Sequence, residues 1–179
     1  SRTKGQWVTI TIARPRDIVV PIYDLETGEV SNIQIIPANT SQNKNFLAGA
    51  KFMGLTSLII NTSQSDWQSN DWVVCEGFKT GCAIAALESA NIAPALSANN
   101  VPNVVALLKA LYPSSNVYVA NDNDDDGTKY RRKAVELGAL AVLEPDLYPG
   151  ADWADVTKHI GLHRAIDKWE QHKHVMQIQ

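Results

Sequence analysis

The period of apolar and polar positions changes once along the chain, near residue 70. Before that point, residues 18–36 read IVVPIYDLETGEVSNIQII, two apolar runs around a polar turn at 24–28. Such a pattern predicts a β-hairpin. Residues 37–56 are polar and loop-like, with a short strand expected near Phe46–Leu47 and another over 56–61 (TSLIIN). The Ser-rich stretch 62–70 marks a boundary. The chain thus divides into a small β-rich subdomain over residues 1–66 and a core over 67–179.

Beyond the boundary, short apolar runs alternate with stretches of helical spacing. Strands are expected at 71–75, 93–97, 117–121 and 139–143. Helices are expected at 80–90, 101–111 (Val104, Leu107, Leu108 and Leu111 inward), 128–137 (Tyr130, Ala134 and Leu137 inward) and through the tail, 151–172. Strands of about five residues alternating with helices of about ten predict βαβ units. The expected fold class is α/β, a Rossmann-like parallel sheet of about four strands with flanking helices. Ligands of such sheets bind at the carboxyl ends of the strands.

The residues directly after the strands therefore carry the chemistry. Glu76 follows the first core strand, and the knot Asp122-Asn123-Asp124-Asp125-Asp126-Gly127 follows the third. If those two strands are neighbours, Glu76, Asp122 and Asp124 converge. One acid suffices at the start of the following helix, and Asp125 or Asp126 is expected there as an N-cap or first-turn acid. The surplus points to a cation, because clustered carboxylates repel one another unless one compensates. Hard oxygen ligands suit Mg²⁺ or Mn²⁺, which usually share their coordination with substrate phosphates. Asp152 and Asp155 fit either helix capping around Trp153 or a second metal role. Lys79, Lys129, Arg131, Arg132 and Lys133 are candidate phosphate contacts, against a solvated helix face. Lys44 and Lys51 are weaker ones. Asn99 and Asn100 fit a turn or a nucleotide contact. His159 and His163 form an i, i+4 pair with no third ligand evident, and surface helix positions are the reading preferred to a metal pair. Cys75 and Cys82 read as small core residues.

Composition changes little of this. The chain has 179 residues, 45% of them hydrophobic, enough for a core and too many for disorder. A net charge of −3 argues weakly against nucleic-acid binding, but the acidic knot alone supplies more than that surplus. No run is long enough to span a bilayer, and no signal peptide opens the chain. Two Cys fit reduced thiols in a cytoplasmic protein. The lack of an initiator Met suggests a piece of a longer chain.

The motifs VVCEG at 73–77, DNDDDG at 122–127 and GADWAD at 150–155, in that order, resemble the Toprim domain. The match is narrower with phage and plasmid DNA primases, whose Toprim region also follows a β-rich piece like residues 21–49. The resemblance covers roughly residues 17 to 160. It implies metal-dependent synthesis of RNA primers on single-stranded DNA from nucleoside triphosphates. Asp122 and Asp124 would hold Mg²⁺ or Mn²⁺, Asp152 would assist, and Glu76 would be a metal-linked acid or general base. A replicative helicase or further domains of a longer chain are the implied partners. No Cys/His cluster fits the zinc module of such primases, no helicase P-loop is present, and no Tyr is assignable to DNA cleavage. The alternatives are a Toprim nuclease with the same metals, or a non-catalytic DNA-binding or docking module.

Overall fold

The computed structural model describes residues 2–3, 6–7, 12–39, 41–47, 51–60, 71–142 and 144–174. The expected boundary between subdomains, at 66/67, lies outside the described residues. A two-stranded ribbon, β1 (Arg2–Thr3) with β2 (Gln6–Trp7), comes first. The hairpin follows, β3 (Ile18–Asp24) with β4 (Val30–Ile36). Strand β5 (Asn45–Phe46) flanks β4 and β6 (Leu55–Thr56) flanks β3, giving an antiparallel sheet ordered β5-β4-β3-β6. Its buried side rests on Val20, Ile22, Ile35 and Leu55.

The core alternates as expected: β7 (Trp72–Cys75), α1 (Phe78–Leu87), β8 (Asn91–Pro94), a 3-10 turn (Ala98–Asn100), α2 (Val101–Leu111), β9 (Val117–Ala120), α3 (Asp125–Glu136) and β10 (Leu140–Ala141). The four strands are parallel, ordered β10-β9-β7-β8. Both faces of this sheet are covered, so β7, β8 and β9 are buried at every position. Trp72 and Val74 pack toward α2 and Ala134 of α3. Val73 and Cys75 pack toward Ile84 of α1 and the tail. The tail is two helices, α4 (Trp153–Ile160) and α5 (Leu162–His174). Trp153 and Trp169 meet edge to face at 4.9 Å between ring centres, both fully buried. Of the described helices, none is long and apolar enough to cross a membrane.

Several expectations need correction. The second core strand runs 91–94 instead of 93–97. Ala95 and Leu96 still donate to the carbonyls of Cys75 and Glu76, but Leu96 takes a φ of 70°, which turns the chain out of the sheet. Leu137, the C-cap of α3, is 45% exposed, and Leu111, the last residue of α2, is 39% exposed. Helical periodicity stops steering side chains inward where the helix stops. The tail is broken at Gly161, whose φ of 80° a continuous helix does not allow. That break puts His159 and His163 on different helices, both exposed, so they do not share a helix face as a metal pair. Cys82 is exposed, while Cys75 is buried.

The run at 56–61 serves both sheets. Leu55 and Thr56 pair with β3. The amides of Ser57 and Ile59 donate to Pro94 and Ile92 at 3.2 and 3.0 Å, covering the outer edge of β8. Asn100, fully buried, bolts the junction. Its Nδ2 donates to the carbonyls of Leu55 and Ala95 at 2.8 and 2.9 Å, and its Oδ1 accepts the Gly54 amide at 2.8 Å. Of its two expected roles the turn is the one seen, since Asn100 closes the 3-10 turn that leads into α2 with Pro102 in its first turn, and its side chain is spent on backbone groups. Replacing it by Ala strands three backbone groups. Asn100→Ala should cost roughly 3 kcal/mol. At this size that lowers the melting temperature by about 6–12 °C, measurable by calorimetry.

Candidate functional site

Chain direction across the parallel sheet reverses at β7. From β7 the chain steps to β8 on one side, then crosses back to β9 on the other. The carboxyl ends of β7 and β9 therefore flank the switch point where such sheets bind ligands. The register pairs Cys75 with Ala120, so the next residues, Glu76 and Asn121, leave the sheet side by side, and Asp122 follows.

The acidic loop is shaped by its smallest residue. Asp124, not Asp125 or Asp126, caps α3: its Oδ1 accepts the Gly127 amide at 2.6 Å. Asp125 and Asp126 fill the first turn, where the helix dipole favours acid. The Asp124 amide donates to the Asp122 carbonyl at 3.0 Å, and this tight turn brings that carbonyl against the helix start. A Cβ on Gly127 would stand 2.2 Å from the Asp122 carbonyl oxygen. Only glycine fits.

Asn123 fastens a second loop to the first. Its amide donates to Ala151, and its carbonyl accepts from Gly150. Its side-chain Nδ2 donates to the carbonyls of Pro145 and Tyr148 at 3.2 and 3.4 Å. That loop leads into α4, which Asp152 caps in a reciprocal box with Asp155. Thr80 of α1 donates to Asp152 Oδ2 at 2.9 Å. The capping expectation for Asp152 and Asp155 is thus realised, and it also brings the Asp152 charge to bear on Glu76 and Asp122.

The cluster is electrostatically uncomfortable. Burial, then the charges of Glu76, Asp152 and Asp124, push the Asp122 carboxyl up to about 7. Burial and Asp124 raise Glu76 above the usual carboxylate range. Asp122 Oδ1 is buried and has no hydrogen-bond partner. The main opposing charge is Lys44, just before β5, whose Nζ lies 3.9 Å from where a Gly77 Cβ would be. Among the described residues no three acidic, His or Cys groups are gathered closely enough to cage an ion by themselves. Mg²⁺ does not ask for that: it takes one or two carboxylates and completes its shell with water and phosphate oxygens. An orphaned carboxylate oxygen amid repelling acids fits a group of that kind.

The basic candidates do not form one strip. Lys79 pairs with Asp155 at 3.4 Å and approaches Asp152 at 3.9 Å. Arg131 is held by Glu144 at 2.9 Å, with Thr128 on the same carboxylate oxygen. Lys129 and Lys133 sit over the Tyr130 ring at 4.9 and 5.3 Å, and Arg132 is exposed. Lys51 pairs with Asp24 at 3.3 Å. Sequence reading underrated Lys44, which comes from the other subdomain, and missed Thr80, Asn123 and Glu144. Asn between two Asp was the available signal for Asn123, since Asn readily bonds nearby backbone.

The raised Asp122 carboxyl fixes a sign. Its proton is favoured in the folded chain, so its contribution to stability is full below the ordinary value of 3.8 and is lost as pH rises through about 7. Without divalent metal, Asp122→Asn should therefore stabilise the protein at pH 8. The gain is about 2 kcal/mol, the full shift being halved for solvent screening at this partly exposed cluster. It should shrink toward pH 5. Melting curves of both proteins at the two pH values check this.

No protein-family model matches the chain, and no curated protein matches it. Solved structures share its fold. The zinc-binding and RNA polymerase domains of the Aquifex aeolicus primase superpose with a TM-score of 0.61 at 21% identity, over 94% of this chain and 43% of that one. The primase fragment of the bacteriophage T7 primase-helicase protein gives 0.60 at 14%, over 88% and 65%. The DnaG primase catalytic domain bound to ssDNA gives 0.61 at 18%, over 88% and 52%. The chain spans 43% to 65% of the length of these three. Its parallel four-stranded sheet with an attached antiparallel sheet is the fold of primase catalytic fragments.

Proposed function

We propose that this chain is the Toprim-type catalytic core of a DNA primase of phage or plasmid kind, joining ribonucleotides into RNA primers on single-stranded DNA. The observation that carries the reading is the pairing of β7 with β9. It sets Glu76 beside the Asp122–Asp124 loop at the switch point and leaves a buried carboxylate oxygen unpartnered. The primase fold supports it at the level of architecture.

Asp122, Asp124 and Glu76 would hold Mg²⁺ or Mn²⁺, with Asp152 assisting through its charge. Bound there, the ion supplies polarisation of a 3′-hydroxyl and neutralisation of an incoming triphosphate. Glu76, its proton affinity raised by burial and by Asp124, would be the metal-linked acid or the general base for the hydroxyl proton. Lys44 faces the same cluster and offers a cation to phosphate oxygens that enter. Lys79 is tied to the α4 capping box, so its first effect is to hold α1 and α4 together. Lys129, Arg132 and Lys133 would meet template phosphates from the exposed face of α3. Further domains of a longer chain or a helicase would add to this template handling.

Paramagnetic broadening on titration with Mn²⁺ tests the site. It should centre on Glu76 and residues 122–126 and vanish in the Asp122→Asn/Asp124→Asn double variant. With single-stranded DNA and ribonucleoside triphosphates present, new labelled oligoribonucleotide supports the primase, and shortened DNA the nuclease with the same metals. If neither metal alone nor metal with both substrates gives localised broadening, the enzyme reading fails and a docking module takes its place.

A further inference from the structure

Beside the carboxylates lies a polar cleft of about 310 Å³, lined by Leu147, Tyr148, Asp155, Lys158 and His159. Its size is at the low end for small-molecule sites and suits one nucleotide rather than a larger ligand. Tyr148 is 50% exposed and lines this cleft. The Asp155 carboxylate lines the same cleft. The last turn of α4 adds Lys158 and His159 to the lining, both exposed. The helix dipole accounts for cations in a last turn. It does not account for an exposed aromatic side chain in the same cleft. Asp155 is the one acid of the lining, and Lys79 already pairs with it at 3.4 Å.

The cleft is also fixed in place relative to the acidic loop. Asn123, between Asp122 and Asp124, bonds Pro145, Tyr148, Gly150 and Ala151 of the loop that carries the ring. Asp155 shares a capping box with Asp152, and Asp152 is bonded to Thr80 of α1. Movement of the Tyr148 loop would therefore disturb the acidic loop.

We propose that this cleft is a nucleotide subsite: a base stacks on Tyr148, and its phosphate is met by Lys158 and His159. Aromatic faces serve any base, because every base has a π-face, and cations track the backbone. The proposal rests on the polymerising role given above and adds to it where the strand or the incoming nucleotide lies beyond the metal. The shared chemistry is base plus phosphate; its source is either the single strand or a free triphosphate.

The test uses the whole chain with two probes, a fluorescein-labelled oligothymidylate of about 12 nucleotides and ATP with Mg²⁺. Tyr148→Ala should weaken binding on the order of 10-fold, and Lys158→Ala/His159→Ala should do likewise. Tyr148→Phe keeps the ring and should bind like the parent protein. Loss confined to the oligonucleotide assigns the cleft to the strand, and loss confined to ATP assigns it to the incoming nucleotide. The proposal is overturned if the parent binds neither probe. It is equally overturned if both Ala variants, with unchanged melting temperature, bind both probes undiminished, or if Tyr148→Phe loses as much as Tyr148→Ala. Mn²⁺ broadening in the same variants separates the two ideas. Broadening with undiminished probe binding sinks the cleft alone, whereas weakened probe binding without broadening sinks the polymerase reading alone.

Discussion

Glu76 and Asp122 stand at the ends of adjacent parallel strands, half-buried, with the charges of Asp124 and Asp152 bearing on both. Burial and like charge each disfavour ionisation. Nothing in folding alone rewards that placement. The rest of the core is arranged to tolerate it. The carboxylates sit where the sheet offers backbone ends instead of apolar side chains, at the reversal between β7 and β9. Helix starts surround them, with α3 and α4 both beginning at the site and both capped by its own acids. The positive ends of those helix dipoles soften the repulsion that side chains create.

Tolerance also depends on rigidity. A cluster of like charges will spread unless the backbone forbids it. Gly127 lets the Asp122 carbonyl approach the helix start more closely than any other residue would permit. Asn123 ties the acidic loop to the loop before α4, and Thr80 ties α4 to α1. Gly81 gives α1 the same closeness to β8, since a Cβ there would stand 2.6 Å from Pro94. These are small residues and uncharged hydrogen-bonders. They do none of the implied chemistry and hold in place everything that does.

The antiparallel sheet contributes more than bulk. Through Ser57, Ile59 and the buried Asn100 it closes the open edge of β8, which would otherwise expose unpaired backbone. By the same attachment it delivers Lys44 to the carboxylates. Lys44, a cation acting on both Glu76 and Asp122, thus comes from a separate layer of the fold. An electrostatic site shared between two layers can change its charge balance by a small shift of one against the other.

Local chemistry along the chain was enough to place most of this. Burial on both faces leaves a signature of short apolar runs, so the four parallel strands and their helices were legible, as was the acid after the first and third strands. What local pattern could not carry is where the chain stops obeying it: Leu96 turning at positive φ, Gly161 breaking the tail, and Leu111 and Leu137 swinging outward at helix ends. Nor could it say who partners whom. Arg131 with Glu144, Lys79 with Asp155, and Asn100 with three backbone groups of two sheets are pairings across many residues of sequence. The sequence by itself determined the element types and the acidic residues, because periodicity and motif spacing are properties of neighbours along the chain. Only the tertiary structure decided that β9 lies against β7, that Lys44 answers the carboxylates, and that Tyr148 stands beside them, because charge and hydrogen bonding act through space.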